Sequence, residues 1–452
     1  MRKLTYRFGK WAIEVFHCVA VAAMFIVAAT ASIAAPAAED VSGNISSSAA
    51  ERAGMSPEVL QKVDDFLQDI VDQEIYAGIV AMIGRQNQVV YEAYFGMADI
   101  EAGIPMQPDT LFRIQHFTIP VVAAGAMILY DEDRFNLDDP VANYLPEYAD
   151  MEVMVPSDDG GYSTVPANSP ITIRQLMSFM SGITDAYNHP ELSVSFQEAG
   201  LKYGIVPLEG TLADVSRRLA SLPLAANPGE SFVMGMAFVP VGRLIEVISG
   251  MSLDEFLKKR LFEPSGMKDT YGFLPTSELP RLANIYGVGP TEPLVKYDQE
   301  PFAVGGTFLM SPYAQFSEQN SYFDPMAQLI STAADFGRFC RMMLNRGELD
   351  GVRILEVETV EIMTTNHIPD DVFPWSDYDN FGLGVGIRVW NHPEDRVESI
   401  GSYGWGCYVT EGFHIDPAED MWMVLLSQRP EPVPDPNPRY VLRAIAYEAI
   451  ID

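Results

Sequence analysis

A chain of 452 residues with 48% hydrophobic and 20% charged side chains has enough apolar material for a large core, which excludes a disordered or low-complexity protein. Its 62 acidic residues against 29 basic ones give a formal charge of −33, and such a surface repels nucleic acid and anionic lipid. The three cysteines form no CxxC motif and no Cys/His cluster, so neither a disulfide framework nor a structural metal site is expected, and no cofactor is implied.

Arg2, Lys3, Arg7 and Lys10 precede an apolar run from Val19 to Ala29 and then the small-residue stretch TASIAA. This is the layout of a secretory signal peptide, residues 1–34, and it implies a periplasmic or secreted protein with no stable membrane anchor after cleavage. A retained anchor is the rival reading, against which Glu14 and His17 shorten the apolar stretch below the roughly 18 residues a span needs. Residues 35–55 are small and polar and read as a linker, leaving 56–452 as the folded domain.

Ser56 and Pro57 form an N-cap followed by a first-turn proline, predicting a helix through about Gln73. Residues 77–97 alternate and turn like a β-hairpin. The middle of the chain, roughly 135–330, carries mostly helical patterning broken by Gly and Pro. Strand patterns return at 382–390, 398–403, 408–416 and 421–427, before a closing helix from about Pro438. Strands at both ends with helices between predict an α+β fold: an antiparallel sheet built from both termini, flanked by helices, with an inserted mainly helical subdomain.

Five stretches carry a family resemblance: FRIQHFTIPVVAAGAMILYDEDRFNLDDPVANYLPEY (112–148), ITIRQLMSFMSGIT (171–184), the segment opening NPGESFVMGMAFVPVGRLIEVISG (from 227), STAADFGRFCRMMLNRGELDG (from 331) and YGWGCYVTEGFHIDP (403–417). Together they resemble the serine β-lactamase-like superfamily, in particular its class C β-lactamase, family VIII esterase and D-alanyl-D-alanine peptidase branch, over most of residues 56–452. The resemblance implies a β-lactamase/transpeptidase-like fold. It also implies a Ser-x-x-Lys at the start of the helix after the FRI strand, where the serine attacks a carbonyl and the lysine helps to deprotonate it. Here those positions are His116 and Ile119. A tyrosine is expected after Pro228-Gly229, where Met234 stands, and the pocket-edge triplet is Trp405-Gly406-Cys407, with a thiol where a glycine is usual. The loop usually reading His-Thr-Ser-Gly is Phe179-Met180-Ser181-Gly182. Ser265-x-x-Lys268 and Tyr378-x-Asn380 match family motifs by letters only, in segments away from the pocket.

These replacements remove the acyl-transfer set and predict an apolar slot for a hydrophobic or aromatic small molecule, with Ile119, Phe179, Met234, Trp405, Tyr408 and Glu411 as candidate substrate contacts. His116 at a helix N-terminus is expected to stay neutral near pH 7 and to act as base or polarising group, oriented by Asp185 or Tyr187. The alternative is a histidine that fills the space of an abandoned serine. Residues 307–328 read as an insertion able to cover the cleft, or as a surface loop. Three functions follow. The chain is an atypical, non-serine enzyme acting on a carbonyl or ester; or an inactive pseudoenzyme that binds a ligand or partner; or a hydrolase using Ser178 or Ser181.

Overall fold

The computed structural model describes residues 44–157, 161–186, 188–202, 204–287, 294–298, 301–304, 308–313, 321–372, 379–388, 397–407, 409, 411–430, 434 and 436–451. Residues 1–34, read above as a signal peptide, lie outside them.

The architecture grows from the predicted hairpin. Strands Gly78–Arg85 and Gln88–Asp99 pair antiparallel through a turn in which Gln86 and Asn87 both take left-handed backbone angles, φ 48° and 58°. Two successive positive-φ residues match the twist of the flanking strands, which is why a tight hairpin accepts them. Strand Met421–Ser427 pairs with the other edge of Gly78–Arg85, and Gly412–Asp416, Tyr403–Gly406, Gly386–Arg388 and Asp379–Phe381 follow in order. Among the described residues the result is a nine-stranded sheet with the N-terminal strands at one side and the C-terminal strands at the other, the α+β arrangement expected.

Period-two alternation assigns its faces. Met421, Met423 and Leu425 pack with Ile79, Ala81 and Ile83 under helices Pro57–Asp72 and Pro438–Glu448. Trp422, Val424 and Leu426 pack with Val80 and Met82 on the opposite face, where helix Ala333–Leu344 lies and the larger core begins. Ser56 caps the first long helix as predicted, its hydroxyl accepting from the Val59 amide at 3.3 Å.

The linker reading of residues 35–55 fails over its second half. Asn44–Ile45 adds a strand to Gln88–Asp99, and helix Ser47–Arg52 buries Ala49 and Ala50. Ala53 and Met55 are also fully buried. Small side chains here permit close packing on the sheet rather than freedom. The strand patterns at 382–390 and 398–403 also shrink: residues 383–385 turn before Gly386–Arg388, and the next strand begins only at Tyr403.

Between the two halves of the sheet the described residues form helices joined by short strand pairs. Helix Thr118–Asp131 is buried on nearly all sides, consistent with its unbroken apolar sequence, and packs against helix Phe238–Ser249. Its N-terminal end carries the chain into the site.

Candidate active site

The backbone around His116 is held from both sides. Strand Phe112–Arg113 pairs with Ile330–Ser331, and the Ile114 amide donates to Leu329 O at 3.0 Å. The Arg113 guanidinium is buried and donates to the carbonyls of Pro312 at 2.7 Å and Ala283 at 2.9 Å, which fixes the strand against two neighbouring loops. Gln115 then takes a left-handed φ of 47°, a conformation that costs a non-glycine residue on the order of 1 kcal/mol and persists only where the surroundings impose it. It opens a short 3-10 turn, Gln115–Phe117. Phe117 is anchored in the core against Phe336 and Phe413, ring centroids 4.8 and 5.1 Å away. With both neighbours pinned inward, His116 projects into a pocket.

That pocket measures about 640 Å³ with its open mouth included. Its polar groups are His116, Asp185, Tyr322, Asp324 and Lys202, and its apolar wall includes Phe196, Ile205, Leu208, Met236 and Val239. An apolar slot with a few convergent polar groups is the usual form of a small-molecule site. Two glycines set its shape by close approach. A Cβ on Gly235 would lie 2.5 Å from the Thr184 backbone, so this glycine seats the Met234–Met236 loop against the Asp185 loop. Gly204, at φ 126°, lets strand Gly204–Ile205 run beside Phe308–Met310, where a Cβ would meet Leu309 O at 1.8 Å.

Beside the pocket His116 meets a thiol. The ring and the Cys407 sulfur are electrostatic partners, and the backbone of His116 and Val409 also favours an anion at that sulfur. On its remaining side the thiol donates to Gln115 Oε1 at 3.2 Å. Burial pushes the thiol pKa up, but the imidazole and the backbone of His116 and Val409 outweigh it and bring the value to about 7. Burial likewise pushes His116 toward neutrality, yet Cys407 and then the carboxylates of Asp324 and Asp185 outweigh it, so its pKa rises above the ordinary histidine value. The helix N-terminus was expected to favour the neutral ring, whereas the thiol and the two carboxylates act in the opposite direction. Burial raises Asp324 above the usual carboxylate range, with the Met326 amide and His116 opposing it.

The other sequence candidates divide. Asp185 lines the pocket and accepts from the Asn188 backbone amide at 2.8 Å. Tyr187 and Tyr408 lie outside the described residues. Ile119 and Phe179 are fully buried in the main core and do not line this pocket, a correction with a simple cause: Ile119 sits inside the all-apolar helix and Phe179 is ringed by Phe232, Phe238 and Phe381. Trp405 is also core, packed edge-on against Phe381, and Met234 packs against the same core while its neighbours Gly235 and Met236 reach the pocket. Glu411 is buried behind the site, where it accepts from Tyr76 at 2.8 Å and Ser427 at 3.1 Å and pairs with Arg439 at 3.5 Å.

The serines offered as alternative nucleophiles are engaged in backbone structure. Ser178 donates to Arg174 O at 2.9 Å and Ser181 accepts from the Ile183 amide at 3.2 Å, both buried. Ser265 donates to Leu261 O at 2.6 Å, within a separate helical segment. Of the residue 307–328 insertion, Thr307 and residues 314–320 lie outside the described residues, while Tyr322, Asp324, Met326 and Ala327 wall the pocket.

Sequence reasoning passed over Cys407 as a bulky replacement for glycine, named Tyr322 and Asp324 only as part of the 307–328 insertion, and passed over Lys202. For Cys407 a signal was present: a thiol on the pocket-edge triplet facing the one imidazole in the nucleophile position. The other three carry no motif.

Comparison with known proteins gives the family and the fold. The family model described as Beta-lactamase matches residues 63–448. A Mycobacterium tuberculosis protein of uncharacterized function is 29% identical over 374 residues, 80% of this chain and 88% of the relative. The esterase EstB of Burkholderia gladioli is 31% identical over 233 residues, 52% of this chain and 56% of the esterase. The solved structure of EstCE1, described as a hydrolase with promiscuous acyltransferase activity, superposes with a TM-score of 0.75 at 23% identity, covering 86% of this chain and 98% of that one, a likeness of fold.

Proposed function

Because the chain belongs to the beta-lactamase family over residues 63–448, a family of hydrolase-type proteins, we propose that it is an enzyme acting on a carbonyl or ester without a serine at position 116. The substrate is a hydrophobic or aromatic small molecule, and His116 transfers protons at the reacting centre. The observation that supports this reading is the imidazole itself: a titratable ring facing a largely apolar pocket, beside a thiol and two carboxylates. A histidine that only filled space would have no need of such partners. We propose export as well, on the N-terminal layout of basic and then apolar residues, which would place the enzyme in the periplasm or outside the cell.

The test is turnover of a panel of aromatic and alkyl esters by the wild type and by His116→Ala. The expected result is measurable hydrolysis in the wild type and loss of at least about 100-fold in the variant, the range of a general acid–base group, with little change in melting temperature. Equal activity in the two proteins would overturn the reading. A ligand that binds the pocket and is recovered unaltered after long incubation would point instead to a binding protein.

A further inference from the structure

Resting on the carbonyl chemistry proposed above, we infer that Cys407 is the nucleophile of this site, deprotonated by His116 and acylated by the bound ester to a thioester. The geometry that leads there sets the sulfur against the turn that carries His116: strand Tyr403–Gly406 packs on Gln115–Phe117, and His116 itself forms part of the pocket wall. The imidazole and the backbone of His116 and Val409 act electrostatically on the sulfur and favour an anion. Gln115, held in a left-handed conformation, places its Oε1 at 3.2 Å from the sulfur. The other described cysteine shows the contrast: at Cys340, fully buried in the apolar core, only its own backbone opposes burial, which pushes its pKa well up.

The step balances with water as the only co-reactant. The Cys407 proton passes to His116, and the thiolate attacks the ester carbonyl carbon so that a C–S bond forms. Collapse breaks the C–O bond to the alcohol, which leaves with the proton returned by the imidazolium. Water then attacks the thioester, His116 takes its proton, and the C–S bond breaks to release the acid and restore the thiolate–imidazolium pair. Ile119, buried where the resemblance places a lysine, leaves the imidazolium as the cation paired with the sulfur.

The experiment uses the full chain with p-nitrophenyl butyrate as the probe, quenched in acid and mapped by peptide mass spectrometry, alongside iodoacetamide alkylation of the same protein over a pH series. The expected results are a butyryl group on the Cys407 peptide that hydroxylamine removes, and loss of turnover in both Cys407→Ala and Cys407→Ser with melting temperatures near wild type. Alkylation is expected to be faster at Cys407 than at Cys340, to rise through about pH 7, and to move to higher pH in His116→Ala. Hydrolysis that persists in Cys407→Ala but is lost in His116→Ala would overturn the nucleophile while leaving the proposed function standing. A wild type that hydrolyses none of the esters would overturn the proposed function. In that case Cys407 alkylation no faster than Cys340, or unaffected by His116→Ala, would overturn the activated thiol as well, and selective His116-dependent alkylation would support it.

Discussion

Replacing Glu411 by alanine separates a structural carboxylate from a substrate contact. The side chain is buried and holds three partners: the Tyr76 hydroxyl at 2.8 Å, the Ser427 hydroxyl at 3.1 Å and the Arg439 guanidinium at 3.5 Å. Its removal leaves Arg439 facing an uncompensated low-dielectric site and the Tyr76 hydroxyl without its acceptor. Breaking a buried pair by deleting one member costs about 3–5 kcal/mol. With an unfolding entropy of roughly 2 cal/mol/K per residue over about 400 residues, that corresponds to a fall of about 4–6 °C in melting temperature. Glu411→Gln keeps the shape and an acceptor for Tyr76 and is expected to lose about half as much. Differential scanning calorimetry gives the melting temperatures and ester hydrolysis gives KM, which is expected to stay at the wild-type value in Glu411→Gln. A Glu411→Ala protein that melts with the wild type while its KM rises severalfold would refute this reasoning and return the carboxylate to the pocket.

Gly337 on helix Ala333–Leu344 is a position where alanine reverses its usual sign: the helix gain of about 1 kcal/mol is outweighed by overpacking of about 1–3 kcal/mol, because a Cβ would lie 2.7 Å from the Trp422 indole. Urea unfolding of Gly337→Ala should therefore show a lower midpoint. Gly235→Ala pushes on the Thr184 backbone and so displaces the loop that carries Asp185; about a 100-fold fall in kcat/KM is expected, in a protein that remains folded by circular dichroism. Stability is expected to fall in acid through His414. Burial first, and then Arg443 and Arg388, hold its pKa well below the ordinary value, so the unfolded chain takes up a proton near pH ~6.5 while the folded one does not. The contribution is complete above that pH and diminishes by about 1.4 kcal/mol one unit below it. His116, raised in the fold, works in the opposite sense, so denaturant titrations of wild type and His414→Gln at about pH 5.5 and about pH 7.5 isolate the effect by difference.

The fold was legible where its causes are local. Alternation at Met421–Ser427 assigns both faces of a central strand, and Ser56-Pro57 marks a helix start, because each signal lies within a few residues of what it determines. The linker reading failed at Ala49, Ala50 and Ala53, since small residues look the same whether they are loose or closely packed. In the site, position 116 was legible because the FRI strand and the apolar helix on either side of it are patterned. Cys407 was not, because a thiol's reactivity is decided by what it packs against, and Gln115 and Cys407 stand 292 residues apart along the chain. Asp324 and Tyr322 were hidden for a related reason: they arrive on an insertion whose path over the pocket no periodicity predicts. The apolar residues were misplaced because hydrophobicity marks burial without saying whether the buried side faces a core or a cavity, and Ile119 and Phe179 face the core.

Taken singly, histidine at 116, isoleucine at 119 and cysteine at 407 look like three separate losses from a serine site. Physically they depend on one another. A lysine ammonium at position 119, one helical turn from His116, would repel an imidazolium and compete with it for the sulfur, whereas isoleucine there is fully buried and adds no charge. A glycine at 407 would leave the backbone of His116 and Val409 without the sulfur whose anion it now favours. A serine at 116 would leave that sulfur with no base among the contacts it makes here. Each replacement is therefore compatible with the other two, as the proposed imidazole–thiol pair requires, and the variants at His116 and Cys407 are the test of that pairing.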